Sequence, residues 1–94
     1  MLSSEPIDLK KVKKEDVDKE ICRLGMIAEL DAVSLYEQLA SSTDNRAIKT
    51  ILLDIAKEEK THMAEFQTLL LKLDKEQVKE NENGRKEVEE KTGK

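Results

Sequence analysis

The chain has 94 residues, 40 % of them charged and 37 % apolar, with a net charge of −4; that leaves room for one small helix-rich domain and excludes a second. No apolar run is long enough to span a bilayer, and Met1 to Lys11 carries charge without the apolar stretch of a secretory signal, so the expected location is cytoplasmic. Lys and Glu are scattered rather than sorted, and only Tyr36 and Phe66 are aromatic, which excludes the basic stripe and stacking rings that nucleic acid requires.

In chain order, residues 1–14 are polar, hold the only proline, and read as an irregular leader. From about Glu15 to Ala40 a helical period holds; Gly25 weakens it by about 1 kcal/mol relative to alanine without breaking it. One stripe of this helix runs through Cys22, Met26, Glu29, Val33, Tyr36 and Ala40. Cys22, the single cysteine, reads as a small buried hydrophobe. A second stripe of Ile21, Leu24, Ile27, Ala28, Leu35 and Leu39 is more than one neighbouring helix can cover. The cluster from Ser41 to Asn45 predicts a short turn, with Thr43 or Asp44 capping a second helix from about Asn45 to Leu73. Its stripe runs through Ile48, Leu52, Ile55, Glu59, His62, Phe66, Leu69 and Leu73. A short loop makes the two helices antiparallel, so residues 15–73 form a helical hairpin. Beyond Leu73 apolar residues nearly vanish; residues 74–94 are expected to give a short docked helix near Asp74 to Glu82 and then a solvated tail or linker.

Glu29, Glu59 and His62 interrupt stripes that are otherwise apolar or small, and an unpartnered charge there costs several kcal/mol. A metal ion is the partner that best accounts for two carboxylates and one imidazole, and Glu59 with His62 has the Glu-x-x-His spacing of carboxylate-bridged di-iron bundles. Three readings stay open: an iron site, a zinc or other divalent site, and a polar pair without metal. With the turn centred near Ser42 and Thr43, Glu29 falls opposite about residue 56, roughly 4.5 Å along the axis from Glu59. One chain supplies half the donors of a di-iron centre, and the uncovered second stripe calls for oligomerisation. The fold class is therefore all-α: an antiparallel hairpin that dimerises into a four-helix bundle. Tyr36 reads as a space-filling residue, or as one bonded to a metal-bound carboxylate. Asp31, Glu37 and Glu58 fall off the seam; for Glu37 and Glu58 a solvated helix face is expected.

The stretch Ala28-Glu29-Leu30-Asp31-Ala32-Val33-Ser34-Leu35-Tyr36, with Ser42-Thr43-Asp44 and Glu58-Glu59-Lys60-Thr61-His62, resembles the encapsulated ferritins, short relatives of ferritin and rubrerythrin carried inside encapsulin nanocompartments. The likeness covers about Glu20 to Leu73 and implies that the four-helix bundle is ferritin-like. It implies ferroxidase activity, Fe²⁺ passing to Fe³⁺ with O₂ or peroxide as oxidant, at a site with two irons per dimer interface held by Glu29, Glu59 and His62. It further implies an annular decamer built from dimers, iron storage in the shell, and an encapsulin shell protein as partner, in some members fused C-terminally. Calcium or zinc is expected to substitute for iron. The chain departs from the family pattern at Ala28, where an acidic residue is common, and at Leu35, where tryptophan is common. Asp31 matches a family position tied to iron access, shortened from Glu. Two rival expectations come from other classes: a structural helical oligomer with a metal-pinned interface, and a rubrerythrin-like peroxidase drawing on an external electron donor.

Overall fold

The structure, a computed structural model, describes residues 8–94, so the first half of the expected leader lies outside the described residues. Two short 3₁₀ turns, Leu9–Lys11 and Lys14–Asp16, lead into α1 (Val17–Ser42); α2 (Arg46–Leu73) and α3 (Lys75–Thr92) complete an all-α chain with no strand among the described residues. Asp8 caps the first turn, its Oδ1 accepting from the Lys10 N–H at 3.0 Å. None of the helices among the described residues is long and apolar enough to cross a membrane.

α1 and α2 pack side by side as the antiparallel hairpin. The connection is Thr43 to Asn45, and the cap is Asn45 rather than Thr43 or Asp44: its Oδ1 accepts from the Ile48 N–H at 3.0 Å. Thr43 instead accepts from the Asn45 N–H at 3.1 Å, holding the turn itself. Because α1 continues to Ser42, the turn centres on Asp44. That shift moves the residue opposite Glu29 from about 56 onto the Glu59 to His62 turn.

The interior is thin. Cys22, Val33, Ala40, Ala56 and Leu70 are its buried apolar residues, four of the five small, and no large side chain among the described residues is completely enclosed. The chain exposes 7426 Å², whereas a compact monomer of its mass exposes about 5,500 Å². Much of the excess is apolar: Ile48, Leu69 and Leu73 of the α2 stripe, and Ile21, Leu30 and Leu39 of α1, are each more than two-fifths exposed. The stripes expected to be buried are thus covered on one side only, because two helices can shield only one side of each other. An apolar groove of about 400 Å³, lined by Met26, Ile27, Leu30, Leu70 and Leu71, stays open beneath the start of α3.

α3 departs from the expected short helix and tail by running unbroken to Thr92. It buries no residue and is held by local pairs: Arg85 bridges Glu82 and Glu89, and Gln77 donates to Asn81 at 2.8 Å. Such i,i+3 and i,i+4 pairs supply what an apolar face would otherwise provide. Gly93, at φ 75°, closes the helix in the left-handed conformation that a side chain would resist, its N–H donating to the Glu89 carbonyl at 2.8 Å. The only residue between α2 and α3 is Asp74. Its N–H donates to the Leu70 carbonyl at 2.8 Å, ending α2, while its Oδ1 accepts from the Gln77 N–H at 3.0 Å, starting α3. Arg23 of α1 reaches across to the other oxygen at 2.9 Å and to Glu20 at 2.6 Å, tying the joint to the hairpin. The Gln77 N–H bond, opposed by burial and helped by Arg23 and Lys19, holds the Asp74 carboxyl below its ordinary value.

Candidate metal centre

Glu29 sits near the middle of α1, and Glu59 and His62 sit one turn apart on α2, all three aimed at the seam. Their ligand atoms lie within 4.8 Å of one another. His62 Nδ1 is 3.5 Å from Glu29 Oε2 and 3.4 Å from Glu59 Oε2. The carboxylates are mostly enclosed, at 21 % and 19 % exposure, while the imidazole is 47 % exposed. The cluster therefore opens outward through His62.

Glu29 Oε2 is fully buried and has no hydrogen-bond partner. A carboxylate oxygen in that state is costly, and the titration of the group registers it. The adjoining Glu59 carboxyl, with which Glu29 can share a proton, together with burial and the charge of Glu59, raises the Glu29 pKa above its ordinary 4.5 against the opposing pull of His62. Burial pulls His62 down, but its bond to Glu59 and the two carboxylate charges outweigh that and lift it above its ordinary 6.5. In the absence of a cation, Glu29 and His62 thus hold their protons more tightly than they would in water.

A divalent ion can replace those protons. Donor atoms held about 2.1 Å from one ion lie roughly 3.0–3.4 Å apart, close to the Nδ1 to Oε2 separations found here. Hard carboxylate oxygens with one imidazole suit iron, zinc or manganese. A cation held by the three side chains would satisfy the orphaned oxygen of Glu29. Three side chains nonetheless leave an ion short of a full coordination sphere.

The neighbouring turns bring the two helices into close approach. Gly25 is one turn before Glu29 on α1, and Phe66 is one turn after His62 on α2. A Cβ added at Gly25 would lie 2.7–2.8 Å from Cδ1, Cδ2 and Cε1 of the Phe66 ring, so the ring rests against bare backbone. Sequence reasoning counted Gly25 only as a weak point; the available signal was a glycine four residues before one ligand and an aromatic ring four residues after another. At the rim, Lys60 pairs with Glu37 at 3.3 Å. Glu37 and Glu58 are exposed, on the solvated face expected of them. Tyr36, half-buried, lies about 10 Å along α1 from Glu29, and among the described residues it makes no hydrogen bond to any of the three. Asp31 is about 200° around α1 from Glu29 and stays outside the cluster.

An all-α hairpin carrying a Glu-x-x-His turn opposite a lone Glu has the form of half a ferritin-like bundle. Residues 20–93 match the rubrerythrin family model. The crystal structure of the encapsulated ferritin domain from Pyrococcus furiosus superposes with a TM-score of 0.85 at 48 % identity, covering 100 % of this chain and 98 % of that one. This chain belongs to the rubrerythrin family and, within it, to the encapsulated ferritins. It is 50 % identical over 96 residues to the ferritin-like-encapsulin shell fusion protein of P. furiosus, covering 99 % of this chain and 28 % of that protein. It is 40 % identical over 70 residues to the encapsulin nanocompartment cargo protein EncC of Myxococcus xanthus, covering 71 % and 54 %. The chain thus spans about a quarter of the first relative and about half of the second.

Proposed function

We propose that two copies of this chain pair through their exposed α1 and α2 faces, bringing two sets of Glu29, Glu59 and His62 around a pair of ferrous ions, and that the pair acts as a ferroxidase. The observation that carries this reading is the bare, buried Glu29 Oε2 beside Glu59 and a half-exposed His62: a donor set with excess negative charge, open on the side where apolar surface also lacks cover. Four carboxylates from two chains would match the charge of two Fe²⁺ and favour Fe³⁺, the harder ion, more strongly. One electron per iron passes to dioxygen or peroxide. Glu29, whose carboxyl holds its proton more tightly than usual, releases it as the cation enters, and His62, deprotonated at Nδ1, completes the donors of its own chain. Pairing through apolar helix faces would exclude water from the two buried carboxylates and so strengthen their hold on the ions.

The relatives' names extend this reading to location and partners: an encapsulin nanocompartment as the place of work, an encapsulin shell protein as partner, and storage of the oxidised iron within it. An annular decamer, five such dimers in a ring, is the assembly the family resemblance implies. Anaerobic Fe²⁺ titration followed by air tests the core of the proposal. Wild type is expected to take up one Fe²⁺ per chain and oxidise it rapidly, and His62→Ala to lose at least about tenfold in uptake. Oxidation no faster than that of free Fe²⁺ would instead favour an ion that merely pins an interface.

A further inference from the structure

The register of the hairpin pairs Gly25 with Phe66 and, one turn along, Glu29 with His62: stepping four residues forward on α1 and four back on α2 leads from one rung to the next. The two rungs are about 6 Å apart along the axes. We propose that the Gly25–Phe66 contact is a positioning rung that fixes the gap between α1 and α2, and so sets the spacing of the Glu29 and His62 donor atoms across it. The proposal rests on the metal-centre reading above.

The distances give the reason. Carbon atoms in good contact lie about 3.5–4.0 Å apart, yet a Cβ on Gly25 would meet three ring carbons of Phe66 at 2.7–2.8 Å. The ring is a rigid plane with two torsions and is packed between the helices, half-buried. It cannot yield in every direction at once, so a methyl group at position 25 would part the helices or displace the ring by close to 1 Å. Metal–ligand distances are met only within about 0.2 Å. A displacement several times that size, one turn away, reaches the donor atoms because each helix moves as a rod. On the other side of the donors the seam is closed by Val33, one turn past Glu29, and Ala56, one turn before Glu59, both small and buried, and Leu70 packs one turn beyond Phe66. Among the described glycines only the Gly25–Phe66 contact is closer than a Cβ would allow. The neighbouring small interior residues, Cys22 and Val33, are one or two turns away along α1, and the Glu37–Lys60 pair lies at the exposed rim.

Phe66 and Gly25 touch no substrate in this arrangement; they act through Glu29 and His62. A merely structural contact would alter melting temperature and leave metal coordination alone. The test therefore reads coordination directly, with Co²⁺ as the probe, whose visible bands report ligand number and geometry independently of iron oxidation. Wild type, Gly25→Ala, Phe66→Leu and the double variant are titrated with Co²⁺, and helical content and metal-free melting are followed in parallel. Gly25→Ala is expected to weaken Co²⁺ binding by about tenfold or more, the range seen when groups supporting a ligand are lost, and to change the band positions. Adding Phe66→Leu to Gly25→Ala frees space for the methyl group and is expected to recover most of the affinity, a non-additivity that marks the two residues as one unit. Folded Gly25→Ala with wild-type affinity and bands overturns the proposal, as does a loss that Phe66→Leu fails to reverse. If Gly25→Ala does not fold, Phe66→Leu decides: altered bands with helical content retained support the rung, and wild-type bands overturn it. A folded wild type that takes up no Co²⁺ removes the metal centre and the rung with it, whereas normal uptake by wild type and every variant removes the rung alone.

Discussion

The hairpin and α3 are helices of opposite kinds. The hairpin places two carboxylates and an imidazole on an apolar seam and leaves apolar side chains facing outward, so it carries an unpartnered buried oxygen inside and uncovered apolar surface outside. α3 has almost no apolar surface to bury and is complete in itself, held by a capping aspartate, a terminal glycine and a ladder of charged pairs. Both are stable solutions for a helix, but they respond to different changes. On the proposed function the hairpin would answer to cations and partner surface, and α3 to the chemistry of its own neighbours.

The largest expected effect breaks the asymmetry at its source. Glu29→Gln keeps the shape of the side chain and removes the buried charge, so metal-free protein at pH 8 should melt several degrees higher than wild type, while the stabilisation produced by a divalent ion should vanish. Differential scanning calorimetry with and without metal checks both halves. Next comes pH. Because Glu29 and His62 bind protons more tightly in the folded chain than their ordinary 4.5 and 6.5, the stability they contribute is fully present below those values and is lost as pH rises through the raised ones. Metal-free protein should therefore melt at progressively lower temperature from about pH 5 to pH 8, and bound metal, which replaces the protons, should flatten that slope.

Smaller effects sharpen the other side of the comparison. Asp74→Ala removes the cap of α3 and the partner of Arg23; hydrogen exchange at Gln77 and Val78 should quicken by about tenfold, with α1 and the rest of α2 unchanged. Smallest is Lys60→Ala at the rim. Its pair with Glu37 is half exposed on both sides, so the loss should stay below about 0.5 kcal/mol in urea denaturation.

Much of the hairpin was legible in the sequence because its order is written in spacings of three and four. Glu29, Glu59 and His62 stood out as polar breaks in apolar stripes, and the cluster of Ser, Thr, Asp and Asn marked the turn. What the sequence left out depends on contacts between distant residues. The register shifted because α1 ran two residues further than its last apolar position suggested, a choice made in the turn. Gly25 looked like a defect until the Phe66 ring was seen against it. Asp74 looked like one more acid, since nothing local announces that Arg23, 51 residues earlier, reaches it. The full length of α3 was hidden for the opposite reason: low apolar content suggested a tail, although the helix needs only its own i,i+3 and i,i+4 partners.

The single residue between α2 and α3 also makes a lever. α3 is 18 residues long, about 27 Å, and starts from a joint whose bonds converge on one residue, Asp74. A tilt of 10° at Asp74 would carry the distal end about 5 Å, so a modest rearrangement of the Arg23 clasp is amplified into a large swing at the carboxyl end of the chain.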